Sequence, residues 1–511
     1  MLRINGVFSL LLLFQLSLLP AVAFAQTNSA PEGQSAAKVP RGGLLQQLQS
    51  ETPENAARLL DEAIAADPQN LTLHRYRTLT ANRYVSANDL PGAVKQLEQG
   101  CDALLQNLSS PQSAGDLASS LMAYYSYARR AGSVDSARVQ VALEQTRKLA
   151  SGNQDGAFFQ SLAQLTMIRS DVLASGGQVK EAEAAIREEL QTLRAAIEQE
   201  STAERAVLAS SRLLQALSNP QIGADSEALG RQTEEFYADA LKRLPDSAVV
   251  LADYLRARGS EASRLSGSDP DAAARLLEAA RAVAAESALK DQPAVKAAVA
   301  MYAPLERRIE SSRLQLQMIG KPAPELDIAA TAHGSAVTAE GLKGKVVLLD
   351  FWAIWCGPCI ATFPHLNSMY DEFHSQGFEI VGVTRQYGYQ WNAESKRASK
   401  ADAEVSLEAE LSMLEEFMKH HELRHPTIVT PKESKLQNQY GVTGIPHAVL
   451  IDRKGNVRMI KVGSGEANAK ALHDMVQTLL VKDAEHRFSR EQDLALIVRA
   501  LEEVLAICSP S

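Results

Sequence analysis

Cysteine is scarce in this chain, with Cys101, Cys356, Cys359 and Cys508 the only four in 511 residues. A framework held together by disulfides uses far more, so the fold must rest on hydrophobic cores. Aromatic residues make up 5% of the chain, while alanine and leucine abound, which favours a large helical portion. Positive charge is in deficit: 52 Lys and Arg against 61 Asp and Glu leave a formal charge of -9. That balance argues against a polyanion-binding surface, and nucleic acid is not an expected partner. Beyond the N-terminus, no apolar run approaches the ~20 residues of a bilayer span. At this length two or three domains with their own cores are expected.

The N-terminus is the exception to that polarity. Arg3 supplies a positive start, and Val7 to Leu19 is apolar except for Ser9, Gln15 and Ser17. Pro20 ends the run, and Ala23-Phe24-Ala25 places small residues before a cut at Gln26. Residues 1–25 read as an export signal, which puts the mature protein outside the cytoplasm, in a periplasm where the cell has one. The alternative is an uncleaved signal that tethers it to the membrane. Residues 26–42, rich in Ser, Ala, Gly and Pro, read as a flexible leader.

Residues 43–318 read as helix after helix, broken at Asp67-Pro68, Gly132-Ser133, Gly176-Gly177 and Leu244-Pro245. Ala56 to Asn70 and Phe236 to Ser247 each resemble the second helix of a tetratricopeptide repeat with its exit turn. Small residues where helices cross suit stacked helix pairs, although a generic bundle of Ala-rich helices would look similar. This region holds no catalytic constellation, and the expectation is that it binds a protein partner. Cys101 falls in a helical pattern and reads as an inert apolar side chain, as does Cys508, with a bridge between the two left open.

At Ile319-Gly320-Lys321-Pro322 the character changes to short strands alternating with helices. Strands are expected over Lys345–Phe351, Phe378–Thr384, Thr427–Thr430, Ala448–Asp452 and Val457–Val462. Helices are expected over Phe363–Ser375, Val405–His421, Lys435–Tyr440 and Ala467–Val481. This order gives an α/β sheet covered on both faces, over 319–482. Residues 385–404 read as an inserted polar loop, and 483–511 as a helical extension. The fold class is therefore multidomain: an all-α, repeat-like N-terminal region followed by an α/β domain.

Chemistry concentrates in Asp350-Phe351-Trp352-Ala353-Ile354-Trp355-Cys356-Gly357-Pro358-Cys359. A buried strand runs into a turn that opens a helix, with Cys356 at its start. Only a thiolate attacks a disulfide, and the unpaired N–H groups of a first helical turn favour a negative sulfur there. Pro358 is tolerated in that turn because it removes no helical hydrogen bond. Cys359, three residues on, shares the face of Cys356 and lies within disulfide reach. Cys356 is the expected attacking residue and Cys359 the resolving one. Asp350 sits in an otherwise apolar strand. A carboxyl buried there has a raised pKa and can take the proton of Cys359; a strand-end Asp facing solvent is the alternative.

This segment resembles the active site of the thioredoxin fold. The span 320–480 resembles the extracytoplasmic TlpA/ResA-like thiol–disulfide oxidoreductases, through Gly320-Lys321-Pro322-Ala323-Pro324, Leu342 to Val347 and Gly441-Val442-Thr443-Gly444-Ile445-Pro446. The resemblance implies a cis-proline at Pro446, an Ile445 backbone that pairs with an extended substrate, and substrate contacts at Trp355, Gly357 and Pro358. It implies reversible disulfide chemistry on protein substrates and no cofactor; a reductase in an oxidising compartment would also need electrons from a membrane partner. The Gly-Pro pair resembles reducing members such as thioredoxin, near about -270 mV against about -120 mV for a strong oxidant. An oxidase or isomerase using the same residues stays open, as does a helical scaffold with a secondary redox domain. Asp350, His447 after Pro446 and the 385–404 insert depart from many relatives. His420, His421 and His425 cluster, but Pro426 ends the helix beside them and no further ligand has metal spacing, so no metal site is expected. The Pro and Thr that thiol peroxidases place before their cysteine are missing.

Overall fold

The computed structural model describes residues 41–481, apart from 133, 135, 154, 223–224, 393–395 and 402–404. The expected export signal, nearly all of the leader, the C-terminal extension and Cys508 lie outside the described residues. The described chain forms two compact units: residues 41–261 with 276–302, and residues 262–275 with 303–481.

In the first unit every element is a helix. Thr52, Asp89 and Ser110 each accept a backbone N–H in the first turn of helices Pro53–Ala66, Leu90–Gln106 and Pro111–Ala131. Each of these helices carries a proline in its first two positions, where no helical bond is lost. Leu90–Gln106 packs against both Arg77–Ser86 and Pro111–Ala131. Phe159–Ser175 likewise packs against Val179–Ile197 and Ala203–Leu217. Close crossing needs small side chains: a Cβ on Gly100 would lie 3.2 Å from the carbonyl oxygen of His74. Cys101 is buried with Leu97, Leu104, Leu117 and Tyr124. Burial pushes its thiol up to about 12, so it stays protonated and unreactive at neutral pH. Among the described residues no helix is long and apolar enough to cross a membrane.

The second unit is built on a six-stranded sheet in the order β1-β6-β3-β2-β7-β8. Its strands are β1 Ala330–His333, β2 Val346–Phe351, β3 Phe378–Arg385, β6 Thr427–Thr430, β7 His447–Ile451 and β8 Val457–Val462. Two more, β4 Tyr389–Asn392 and β5 Arg397–Lys400, pair only with each other. β2 lies inside the sheet, parallel to β3 and antiparallel to β7, and all six of its residues are buried. Layers on both faces explain why its sequence is almost continuously apolar rather than alternating. Val346 and Leu348 point into a core shared with Phe363, Phe417 and Val476. Val347, Leu349 and Phe351 point into the opposite core, with Leu436, Tyr440 and Met318.

Three features depart from the sequence reading. Within the insert 385–404, read as a loop, Tyr389–Asn392 and Arg397–Lys400 form a pair of antiparallel strands, which we term the hairpin. Tyr387, Tyr389 and Trp391 recur every second residue, which is the strand period, and Trp391 packs edge-on against Phe417 with ring centroids 5.0 Å apart. β1 went unforeseen because it is four residues long and half-exposed at the sheet edge. The helix Tyr302–Met318, expected to belong with the helical region, packs from residue 303 onward with the sheet. Leu314 and Met318 join the core there, and Ser311 Oγ and Gln315 Nε2 both donate to the carbonyl oxygen of Gly441.

Candidate active site

β2 delivers its last residue, Phe351, into a short turn that ends at Cys356. The Cys356 N–H donates to Ala353 O at 3.0 Å, closing that turn. Cys356 then caps the single-turn helix Gly357–Ile360. Pro358 occupies the first turn, and Thr362 breaks the path before helix Phe363–Phe373, where Pro364 again sits in the first turn. The helix expected to run on from the motif is therefore two pieces with a step between them. Thr362 Oγ1 fills the step by donating to Cys359 O at 2.7 Å.

Cys356 and Cys359 are joined by a disulfide, with Cα atoms 5.3 Å apart. Cys359 is fully buried and Cys356 nearly so, while Gly357 and Pro358 are exposed beside them. The Cys359 backbone N–H donates to Cys356 Sγ at 3.2 Å. When the pair is reduced, that donor favours the thiolate of Cys356.

Asp350 is 2% exposed and does not reach solvent. Strand alternation puts it on the same face as Val346 and Leu348, in the core that holds both cysteines. Its register partners are Gly382 on β3 and Ala448 on β7, so small residues flank its carboxyl. Burial alone pushes this carboxyl from 3.8 up to about 7, and Oδ2 has no hydrogen-bond partner among the described residues. The buried reading of Asp350 holds and the solvent-facing one does not.

Gly382 also admits two other side chains. A Cβ there would lie 2.4 Å from Thr427 Oγ1 and 2.8 Å from Trp352 Nε1. Trp352 is fully buried, stacked on Phe417 at 5.5 Å and edge-on to Phe363. Gly382→Ala is expected to push this indole aside and to cost about 1–3 kcal/mol. The check is urea unfolding followed by tryptophan fluorescence; an unchanged midpoint would show that the strands yield without cost.

Trp355 behaves differently from Trp352, being 42% exposed next to Cys356. Its ring meets Tyr387 edge-on at 5.5 Å and Tyr389 at 5.8 Å, both contributed by the hairpin insert. Sequence reading missed these two tyrosines as site residues, although their two-residue spacing was the available signal. Ile445–Pro446 is a cis peptide, as the resemblance implied. His447 follows it, fully buried with its ring edge-on to Phe351 at 5.6 Å, and burial lowers it to about 4. His420 and His421 pack on Trp391, whereas His425 is buried apart from them and lowered to about 3, chiefly by burial.

The Redoxin family profile matches residues 318–479. Thiol-disulfide oxidoreductase ResA of Bacillus subtilis (strain 168) is 31% identical over 166 residues, which is 32% of this chain and 77% of the relative. ResA of Bacillus cereus (strain ATCC 10987 / NRS 248) is 27% identical over 168 residues, 33% of this chain and 82% of the relative. A solved structure, a putative thiol:disulfide interchange protein DsbE from Chlorobium tepidum, is 28% identical, covering 31% of this chain and 99% of its own, with a TM-score of 0.23. With a buried dithiol motif at the end of a central strand and relatives that align over most of their length, this chain belongs to the ResA-like thiol-disulfide oxidoreductases.

Proposed function

We propose that the protein is an exported disulfide reductase acting on protein substrates through Cys356 and Cys359. The Cys356 thiolate attacks a substrate disulfide, forming a mixed disulfide and releasing one substrate sulfur as a thiolate. Asp350 carboxylate takes the proton of Cys359. The Cys359 thiolate then attacks Cys356 Sγ, closing the Cys356–Cys359 disulfide and releasing the second substrate sulfur. Two electrons pass to the substrate, and a membrane dithiol donor returns two to the protein. The observation that carries this reading is Asp350: a buried carboxyl held near 7, on the core face of the cysteines, is poised to exchange a proton at neutral pH. Trp355, Gly357 and Pro358 form the exposed approach to Cys356, and the Ile445 backbone before Pro446 offers a pairing edge.

Export rests on the N-terminal charge and apolar run, with cleavage before residue 26. The domain limits proposed are a leader to 42, a tetratricopeptide-like region that binds a protein partner, a redox domain ending at 482, and a C-terminal helix; the junction read at 318/319 from the sequence moves upstream, because helix Tyr302–Met318 packs with the redox sheet from residue 303. Sequential packing of neighbouring helices supports the repeat reading. Two measurements test the function. The reduced protein is expected to accelerate insulin reduction, and its equilibrium with glutathione is expected to place the potential below about -180 mV; a higher value would assign the site to oxidation or isomerisation.

A further inference from the structure

The hairpin insert adds a wall to the redox site that neither the dithiol motif nor the cis-proline loop provides. Tyr387 and Tyr389 bear on Trp355, the residue before Cys356. The wall is held from behind: Glu410, buried on helix Leu407–His420, accepts the Tyr387 backbone N–H at 3.0 Å. Gln437 Nε2 reaches the Tyr387 hydroxyl at 3.3 Å. A position fixed this firmly is a built surface rather than a passing contact.

The wall is flanked by positive charge. The Arg385 guanidinium lies 4.9 Å from the centre of the Tyr387 ring and is exposed. In the β4–β5 register Lys400 stands directly opposite Tyr389, so the two side chains share one face of the hairpin. Lys400 is exposed as well, and neither cation forms an ion pair among the described residues. Aromatic rings beside a reactive sulfur, bordered by exposed cations, complement an apolar ring followed by a carboxylate.

We propose that this wall selects, among disulfide-bearing polypeptides, extended segments that carry an aromatic residue and an acidic residue next to the attacked cysteine. The proposal rests on the redox reading above and names its preferred substrates. Two disulfide-linked peptide dimers test it, one with Phe before and Glu after each cysteine, the other with Gly and Lys there. Reduced full-length protein is mixed with each in single turnover, and the rate of Cys356–Cys359 disulfide formation is followed. The acidic aromatic dimer is expected to react about ten-fold faster. In the Tyr387→Ser/Tyr389→Ser variant the ratio of the two rates is expected to collapse toward one. In Arg385→Glu, an exposed change that leaves the aromatic wall in place, the ratio is expected to fall several-fold. The readout is a ratio within one protein, which a uniform loss of reactivity does not move. Equal rates in the wild type, or a ratio unchanged in Arg385→Glu and in the double tyrosine variant, would overturn the proposal. Hydroxyethyl disulfide separates the two levels. A wild type inert toward it overturns the redox reading and this one with it, whereas a wild type that reduces it without distinguishing the peptides overturns this one alone.

Discussion

Cys356→Ser is expected to reduce insulin no faster than the background reaction with dithiothreitol. Cys356 is the sulfur beside the exposed Gly357-Pro358 step, whereas Cys359 lies fully beneath it. A substrate disulfide can therefore reach only the first sulfur, and a hydroxyl in its place is not nucleophilic at neutral pH. Cys359→Ser has a different expected signature. It still attacks, but the mixed disulfide has nothing to resolve it and accumulates as a covalent adduct visible on a non-reducing gel. The contrast is the test: adducts forming in Cys356→Ser and not in Cys359→Ser would reverse the two assignments. Performed in cells, the same trap identifies the substrate.

Asp350→Asn is expected to change rate and stability in opposite directions. The carboxylate is the form that accepts the proton, so resolution in the wild type speeds up as pH rises through about 7. Asparagine accepts no proton, and the variant is expected to lose that inflection and to resolve on the order of 100-fold more slowly at pH 8. Stability runs the other way. The folded carboxyl titrates near 7 against 3.8 when unfolded, so between these values the native state holds a proton that the unfolded chain has lost. Stability due to this group therefore falls as pH rises from about 4 to 7, then levels off. Relieving a shift of about three units amounts to an upper bound of roughly 4 kcal/mol at pH 8, shrinking toward pH 5. The chain has only three tryptophans, Trp352, Trp355 and Trp391, and all lie in the redox unit. Fluorescence-detected urea unfolding thus reports that unit within the whole protein. A stability gain in Asp350→Asn that is equal at pH 5 and pH 8 would falsify the assignment of the shift to Asp350.

The redox core was legible because its signals are local. A strand apolar except for Asp350, a Cys-Gly-Pro-Cys turn and an Ile-Pro step each carry their structural meaning within a few residues. Burial of Asp350 was legible for the same reason, since no neighbour in its strand is polar. The hairpin was not, because its aromatic alternation is short and is interrupted by Gly388, Gln390 and Asn392, which read as loop composition. Its meaning depends on Trp355 and Phe417, one more than thirty positions before it in the chain and the other well after it. Helix Tyr302–Met318 posed a different difficulty. Its sequence is polar and only weakly amphipathic, so it does not say what the helix packs against, and only the tertiary structure shows Leu314 and Met318 joining the core of the sheet.

That helix has a practical corollary for anyone wishing to excise the redox unit. Its side chains at 311 and 315 hold the carbonyl of Gly441, the first residue of the loop that carries Ile445 and Pro446. An expression boundary drawn at the motif-rich residue 319 would leave that loop without its brace and Leu436, Tyr440 and Val457 without the cover of Met318. A portable version of this catalyst keeps helix Tyr302–Met318 as its splint, although the sequence alone assigns that helix to the neighbouring module.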